Sequence, residues 1–208
     1  MFETVLFDVD GTLIDTEYVM TKSLQKTLLE EKKLTVPIES LHFILGIPGK
    51  EAIKQFVKND SDIEPLLSAW GKNVLQFSSY ATVFPEVQVT LEKLRKMNKK
   101  LGIITSKTNE EMQNEFDHFE LKHYFDVVIT ASDTELHKPN PEPIQKAIDI
   151  LAVNKDTSIY VGDSIYDMQS ALSCGVSFGL ARWGALDKPE FENLDIQLQQ
   201  PSSILDLL

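Results

Sequence analysis

The sequence predicts an α/β fold: a Rossmann-like, doubly wound parallel sheet with an inserted, all-α helical subdomain. Short and almost continuously apolar runs alternate with amphipathic helical patterns along most of the chain. A long block of helical periodicity interrupts this alternation after the first apolar run. Strands covered on both faces read as continuous apolar runs, and alternation of strands with helices is typical of a parallel sheet.

Five apolar runs are predicted strands, and amphipathic segments between them are predicted helices. The strands are expected at 4–8, 101–105, 126–130, 158–163 and 176–180. Helices are expected over 87–100, which places Val87, Leu91 and Leu94 on one stripe, over 141–153, and over 166–175, where Gly175 is a plausible stop. The final "SSILDLL" predicts a short helix with a serine as its N-cap.

Residues 16–80 show helical periodicity and no convincing strand, and they read as four helices. A helical block after the first strand of an α/β domain predicts a small inserted subdomain. We therefore expect a catalytic core formed by 1–15 and 81–208, and a helical cap formed by 16–80.

Composition and charge exclude several classes of protein. The chain has 208 residues and a formal net charge of −12, which makes it a poor candidate for general binding of nucleic acid or anionic membranes. Its single cysteine, Cys174, fits a reducing compartment. Asp8 and Asp10 interrupt the apolar start, so no signal-peptide pattern is recognisable. We expect a cytoplasmic protein with neither a nucleic acid nor a membrane as partner.

The stretch "TVLFDVDGTLID" ends an apolar run in two acids one residue apart, Asp8 and Asp10. Like charges at this spacing repel, and each loses solvation near a protein interior. A divalent metal ion, an incoming phosphoryl group or simple exposure to solvent would offset that cost.

Polar residues follow the ends of other predicted strands as well. Ligands of open α/β sheets bind at the carboxyl ends of the strands, so these residues are expected to converge at one edge. The set comprises Asp8, Thr105, Ser106, Lys138, Asp163 and, one helical turn further on, Asp167. Acids, hydroxyls and one lysine suit Mg²⁺-assisted phosphoryl transfer through a carboxylate nucleophile.

Four stretches in order carry a resemblance to a known family. They are "DVDGT" at 8–12, "IITS" at 103–106, "HKPNPEP" at 137–143 and "VGDSIYDM" at 161–168. With these motifs the sequence resembles the haloacid dehalogenase superfamily of phosphohydrolases. The resemblance implies a Rossmann-like core with a helical cap inserted after the first strand.

The resemblance also implies roles for individual residues. Asp8 would be the nucleophile, Asp10 the general acid and base, and Lys138 a contact of both the nucleophile and the phosphoryl group. Thr105, with Ser106 and Gly11, would bind that group. Mg²⁺ would be held by Asp8, the backbone carbonyl of Asp10, Asp163 and Asp167, the last directly or through water.

Within this family the sequence resembles the branch of phosphoglycolate phosphatases and small pyrophosphatases. Sugar phosphomutases with a similar cap, such as β-phosphoglucomutase, usually carry an acid where this chain has Gly162. We therefore expect hydrolysis of a small phosphorylated metabolite through an aspartyl-phosphate on Asp8, by a monomer or weak dimer. A phosphomutase and an inorganic pyrophosphatase remain the alternatives.

Two non-enzymatic classes compete with this interpretation. A signalling receiver domain is shorter, lacks an inserted cap and takes phosphate on an acid after a later strand. A degenerate binding protein would be expected to have lost some of the catalytic positions, all of which are filled here. Lys50 is a candidate substrate contact, although a surface role is more typical of such a lysine, and Lys107 and Arg182 are predicted surface cations. Trp183 is a candidate for shaping the site entrance.

Overall fold

A computed structural model describes residues 1–208, and the chain divides into two compact units. Met1–Ile14 and Val83–Leu208 form the first unit, and Asp15–Thr82 form the second. We call the first the core unit and the second the helical unit. None of the helices combines the length and apolar character that crossing a membrane would require.

The core unit is built on a six-stranded sheet in which all neighbouring strands run parallel. Its strand order is β5-β4-β1-β6-β7-β8, and the strands are β1 (Thr4–Phe7), β4 (Lys100–Ile104), β5 (Val127–Ile129), β6 (Ser158–Gly162), β7 (Ser177–Ala181) and β8 (Gln197–Leu198). Two further strands, β2 (Ile14–Asp15) and β3 (Thr82–Val83), pair separately. The predicted parallel α/β fold class is confirmed. Strand β8 was not predicted, because two residues are too few to show a period.

Four α-helices belong to the core unit: α4 (Val87–Lys96), α5 (Asn109–Glu115), α6 (Glu142–Leu151) and α7 (Ile165–Cys174). Helix α7 begins with a capping box, in which the Ser164 side chain accepts from the Asp167 N–H while the Asp167 carboxylate accepts from the Ser164 N–H. Gly175 ends the helix in the left-handed conformation, at a φ of 78°. The capping box therefore fixes Asp167 in the first turn of the helix, beside the carboxyl end of β6.

The helical unit has its own apolar core, formed between α1 (Glu17–Lys32), α2 (Gly49–Lys54) and α3 (Ile63–Phe77). Buried polar groups in this core are paired: the Trp70 indole N–H donates to the Ser23 hydroxyl over 2.8 Å, and Asn73 donates to Thr27 over 2.9 Å. Of the four predicted helices, the segment Ile38–Ile44 is a 3₁₀ helix. Its two buried residues, Leu41 and Ile44, are three apart, which matches the three residues per turn of that helix.

The C-terminal segment is also a 3₁₀ helix, Pro201–Leu207. Proline occupies its first turn, and Gln200 precedes it without a capping side-chain hydrogen bond. The predicted serine N-cap is therefore wrong. The fixed φ of Pro201 starts the helix ahead of both serines, Ser202 and Ser203.

Candidate active site

Three predicted site residues lie at the carboxyl ends of neighbouring strands. Asp8 follows β1, Thr105 follows β4 and Asp163 follows β6, and all three are buried. The parallel register pairs Phe7 with Ile103 on one side and with Val161 on the other, so the strands end side by side. The Asp8 N–H continues this pairing by donating to the Val161 carbonyl over 2.9 Å. The sheet thus gathers these residues at one edge, as expected for parallel strands.

The turn after β1 depends on Gly11 for its shape. Gly11 has a φ of 74°, and a Cβ atom there would lie 2.4 Å from an Asp163 carboxylate oxygen. Its N–H donates to the Ile14 carbonyl over 2.9 Å. Gly11 therefore acts here through its conformation and its lack of a side chain, which lets Asp163 approach the turn.

The loop that follows β7 contacts the turn that follows β1. The Trp183 indole N–H donates to the Thr12 carbonyl over 2.9 Å. A Cβ atom on Gly184 would lie 1.8 Å from the Gly11 carbonyl oxygen, so only a glycine fits at this contact. The structure thus places Trp183 against the backbone of the turn that carries Asp8 and Asp10.

Lys138 is buried and makes contact with two carboxylates. Its Nζ lies 2.9 Å from Asp8 Oδ1 and 2.7 Å from Asp167 Oδ1. It also donates to the Tyr160 hydroxyl over 3.1 Å, and that hydroxyl lies 3.0 Å from the Ile104 carbonyl oxygen. Burial alone would lower the pKa of Lys138, but the two carboxylates outweigh that effect and raise it, so the ammonium stays charged.

Tyr160 was not identified as a site residue from the sequence. It lies inside β6 and is fully buried, so it reads as an ordinary core residue of an apolar strand. The one indication in the sequence is that this tyrosine places a hydroxyl group in a mainly apolar run, two residues before Gly162. Its partners, Lys138 and Asp167, could be recognised only once the strands were placed in the sheet.

The site holds more negative charge than its lysine balances. Oxygen atoms of Asp8, Asp163 and Asp167 all lie within 4.8 Å of one another, and these residues are buried. Burial, with repulsion from Asp167 as the next cause, raises the pKa of Asp8 to about 7 despite the opposing charge of Lys138. Burial, followed by repulsion from Asp167 and Asp8, also raises the pKa of Asp163. Clustered carboxylate oxygens with excess negative charge fit a Mg²⁺ ion.

Asp167 differs from the other two acids because both of its oxygens already have protein partners. Oδ1 accepts from Lys138 and from the Tyr160 hydroxyl, and Oδ2 accepts from the backbone and hydroxyl of Ser164. Asp163 has one such partner, a long 3.4 Å hydrogen bond from the Thr12 hydroxyl. Asp163 therefore has more free acceptor capacity for a cation than Asp167.

Asp10, Thr105 and Ser106 have different environments. The Asp10 side chain is 34% exposed, and its Oδ1 lies 3.2 Å from Lys107 Nζ. The buried Thr105 hydroxyl accepts from the Lys107 N–H over 3.1 Å, whereas Ser106 is exposed. Asp10 is thus paired with a lysine outside the group formed by Asp8, Asp163 and Asp167.

Three other cations were considered in the sequence. The prediction of a surface position for Lys107 is wrong: its side chain is 10% exposed and lies between Asp10 and Glu115. Lys50 is exposed in α2 and pairs with Glu64 inside the helical unit. Arg182 pairs with the exposed Asp187 over 2.9 Å.

Comparison with known proteins identifies related sequences and structures over nearly the whole chain. A family model described as haloacid dehalogenase-like hydrolase matches residues 5–181. A phosphoglycolate phosphatase of Aquifex aeolicus is 31% identical over 209 residues, which covers 98% of this chain and 95% of that protein. Pyrophosphatase PpaX of Bacillus cereus is 30% identical over 209 residues, covering 99% and 95%.

The fold is shared with solved structures as well. A haloacid dehalogenase-like hydrolase of Streptococcus pneumoniae superposes with a TM-score of 0.87 at 21% identity, covering 99% of this chain and 98% of that one. At this identity the similarity establishes the fold alone.

Proposed function

This chain belongs to the haloacid dehalogenase-like hydrolase family, and from this premise we propose that it is a Mg²⁺-dependent phosphatase acting on a small phosphate monoester through an aspartyl-phosphate on Asp8. The predicted family and the prediction of a phosphohydrolase are confirmed by the family match and the relatives. The observation that carries the finer proposal is the contact of a buried lysine with a buried acid, Lys138 Nζ with Asp8 Oδ1 at 2.9 Å.

Asp8 is the nucleophile in this proposal. Its Oδ1 is held by Lys138, while its Oδ2 accepts no hydrogen bond from the protein. That oxygen attacks phosphorus as the bond from phosphorus to the leaving oxygen breaks. Lys138 limits repulsion between the carboxylate and the phosphoryl oxygens, and the hydroxyl of Thr105, which follows the neighbouring strand β4, would donate to one of these oxygens.

Asp10 carries the proton in both steps. As a carboxylic acid it protonates the leaving oxygen while the bond from Asp8 to phosphorus forms. As a carboxylate it then takes a proton from the water that attacks the aspartyl-phosphate, which releases inorganic phosphate and restores Asp8. The two acids thus have separate roles in the proposed reaction. The burial of Asp8 beside Lys138 and the greater exposure of Asp10 beside Lys107 support this division.

Asp8, Asp163 and the backbone carbonyl of Asp10 would hold Mg²⁺, and Asp167 would act through water or through Lys138. The metal ion supplies charge neutralisation for the phosphoryl oxygens when bound. The saturated oxygens of Asp167 support the indirect role for this residue.

The surroundings of Gly162 favour a phosphatase over a phosphomutase. A Cβ atom at Gly162 would lie 2.6 Å from both Cβ and Cγ of Asp167, so an acidic side chain would displace Asp167 from Lys138. This supports hydrolysis over phosphate migration on this scaffold. A pyrophosphatase remains the second candidate, because a relative of 30% identity carries that name.

The proposal is tested by measuring phosphate release with Mg²⁺ and with chelator. The panel comprises phosphoglycolate, pyrophosphate, sugar phosphates, nucleotides and a chromogenic aryl phosphate. Mg²⁺-dependent release from a monoester supports the phosphatase, and preference for pyrophosphate supports the second candidate. Isomerisation of sugar phosphates without release, or no reaction from folded protein with Mg²⁺, would contradict the proposal.

Binding of Mg²⁺ is expected to weaken as the pH falls below 7. The pKa of Asp8 in the metal-free protein is raised to about 7, so below that pH the cation must displace a proton. The apparent Kd should rise by at least about tenfold per pH unit below 7, as expected for displacement of one proton or more. Isothermal titration calorimetry at pH 6, 7 and 8 measures this, and Asp8→Asn should weaken the dependence without removing it, because the pKa of Asp163 is raised as well. An unchanged Kd from pH 8 to pH 6 would contradict it.

A further inference from the structure

Lys107 is a cation with a largely buried side chain, close to the proton carrier of the proposed reaction. Its side chain is 10% exposed, and its Nζ lies 3.2 Å from Asp10 Oδ1 and 2.6 Å from Glu115 Oε2. Glu115 is itself 13% exposed and is the last residue of α5. The lysine thus bridges the turn after β1 and the end of α5, and its single positive charge faces the carboxylates of both Asp10 and Glu115.

We propose that Lys107, held in place by Glu115, is a positioning residue that orients the Asp10 carboxyl group for proton transfer to the leaving oxygen and from the attacking water. The inference rests on the proposed function, because it assigns Lys107 to the acid and base step of that reaction. Lys107 touches no reacting atom in this proposal and acts through Asp10.

The two oxygens of Asp10 are not equivalent. Oδ1 is sealed from solvent and has no hydrogen bond, although the Lys107 ammonium faces it at 3.2 Å. The Asp10 side chain as a whole is 34% exposed, and Oδ1 contributes none of this exposed surface. Lys107 therefore directs one oxygen inward by charge and leaves Oδ2 as the oxygen available for proton transfer. A free carboxylate would rotate about its side-chain torsion and present either oxygen.

Lys107 is anchored at its backbone as well as at its ammonium group. Its N–H donates to the Thr105 hydroxyl over 3.1 Å, and its carbonyl accepts from the Ala131 N–H over 2.8 Å. The next residue, Thr108, forms a capping box with Glu111 that fixes the start of α5. With its main chain fixed and Glu115 on its other side, the ammonium group has little freedom to leave Asp10.

The partners of Lys107 distinguish it from Lys138. Lys138 contacts the proposed nucleophile Asp8, whereas the ammonium group of Lys107 faces Asp10 and Glu115. Proton transfer between carboxyl groups and substrate oxygens typically contributes 10²–10⁴-fold to the rate and depends on orientation. Loss of the orienting cation should therefore affect the steps that use Asp10 more than substrate binding.

The test compares two classes of ester in the variant Lys107→Met, which removes the charge and keeps the length. An alkyl phosphate has a poor leaving oxygen that needs a proton, whereas 4-nitrophenyl phosphate has a good one. We expect kcat/KM to fall by about 100-fold for the best alkyl phosphate of the panel and by less than about fivefold for 4-nitrophenyl phosphate. KM for the alkyl phosphate should stay within about twofold, because formation and hydrolysis of the aspartyl-phosphate are both slowed. KM for 4-nitrophenyl phosphate should fall together with kcat, because only the hydrolysis step is slowed.

A pre-steady-state burst provides a second readout. Hydrolysis of the aspartyl-phosphate needs Asp10 as base whatever the leaving group was. Lys107→Met should therefore release 4-nitrophenol in a rapid burst equal to the enzyme concentration, followed by a slow steady state. A purely structural role for Lys107 would slow both phases and give no new burst.

Matched variants complete the experiment. Asp10→Asn should show the same pattern more strongly, and the double variant should be no slower than Asp10→Asn alone, because both changes disable one unit. Lys107→Arg should recover most of the activity by restoring the charge. Lys122→Met removes a lysine whose partner, Asp117, lies 3.4 Å away at the surface, and it should behave as wild type.

Two results would overturn the inference. One is an equal fall in kcat/KM for both ester classes without a burst, and the other is a raised KM with unchanged kcat. If Lys107→Met fails to fold by circular dichroism, Glu115→Gln, expected to give the same selective loss at a smaller size, decides the question. Activity of the wild type is established first: its absence refutes the proposed function, whereas an active wild type with an unselective Lys107→Met refutes this inference alone.

Discussion

Asp8→Asn is expected to abolish turnover, by at least about 10⁴-fold, while leaving the fold intact. The amide is nearly the same shape as the carboxylate and can still accept a hydrogen bond from Lys138, but it cannot form the aspartyl-phosphate. Steady-state phosphate release with the best substrate, with circular dichroism as the check on folding, measures this effect. Turnover at the wild-type rate would contradict the nucleophile assignment.

The same variant is expected to be more stable than the wild type at pH 8 in chelator. The folded-state pKa of Asp8 is raised from 3.8 to about 7, so between these values the folded state binds more protons than the unfolded state. Stability from this group therefore falls as the pH rises through that window, and the cost is largest above pH 7. Removing the charge should raise the Tm at pH 8 by about 2–4 °C, which corresponds to roughly 1 kcal/mol.

Thermal unfolding in chelator at pH 5 and pH 8 tests this second effect. The gain in Tm should be smaller at pH 5, where most of Asp8 in the folded wild type is protonated. Asp117→Asn serves as the control. Asp117 pairs with Lys122 at the surface, so its carboxylate stays solvated, unlike the buried carboxylate of Asp8. A Tm below that of the wild type at pH 8 would show that the buried charge of Asp8 carries no such cost.

Gly11→Ala is expected to disrupt both stability and activity. The left-handed conformation disfavours any side chain, and the new Cβ would lie 2.4 Å from an Asp163 oxygen. The turn or Asp163 must therefore shift. We expect the free energy of unfolding to fall by about 2–4 kcal/mol and kcat/KM to fall by about 100-fold, since small displacements near reacting groups have effects of this size.

Gly175→Ala is the matched control for this variant. Gly175 has nearly the same φ, 78°, but a Cβ atom there would meet nothing within 4 Å. It should lose about 1 kcal/mol from the left-handed conformation and none of the activity. Urea unfolding and steady-state kinetics of both variants isolate the effect of crowding against Asp163. Equal losses in the two variants would show that the close approach of Asp163 has no effect of its own.

Strands and motifs that are contained in one short segment of the chain are the features that the sequence predicts best. Strands β1, β4 and β6 were recognisable because each is a continuous apolar run, and the acids that follow β1 and β6 stood out against those runs. The residues in the motifs lie where parallel strands end, so their convergence at one edge followed from the predicted fold class. Family resemblance then supplied roles that the residues alone could not.

Contacts between distant segments could not be predicted in this way. Lys107 looked like a surface lysine because Glu115 and Asp10 reach it only after the sheet and α5 have formed. The hydroxyl of Tyr160 and the fit of Gly184 against the Gly11 carbonyl have the same origin. The 3₁₀ helices also escaped prediction, because a short amphipathic segment has too few residues to distinguish three from 3.6 residues per turn.

The central position of β1 has a consequence for how the protein is made. Strand β1 leaves the ribosome before the other strands of its sheet, yet the register partners of Thr4 are Lys100 on one side and Ser158 on the other. The helical unit is continuous in the chain and has its own apolar core. It can therefore form before β4 and β6, the two neighbours of β1, have been synthesised. A nascent or truncated chain that ends before Ser158 exposes an unpaired edge of β1 beside Val5 and Leu6, which is the kind of edge that other chains can bind during aggregation.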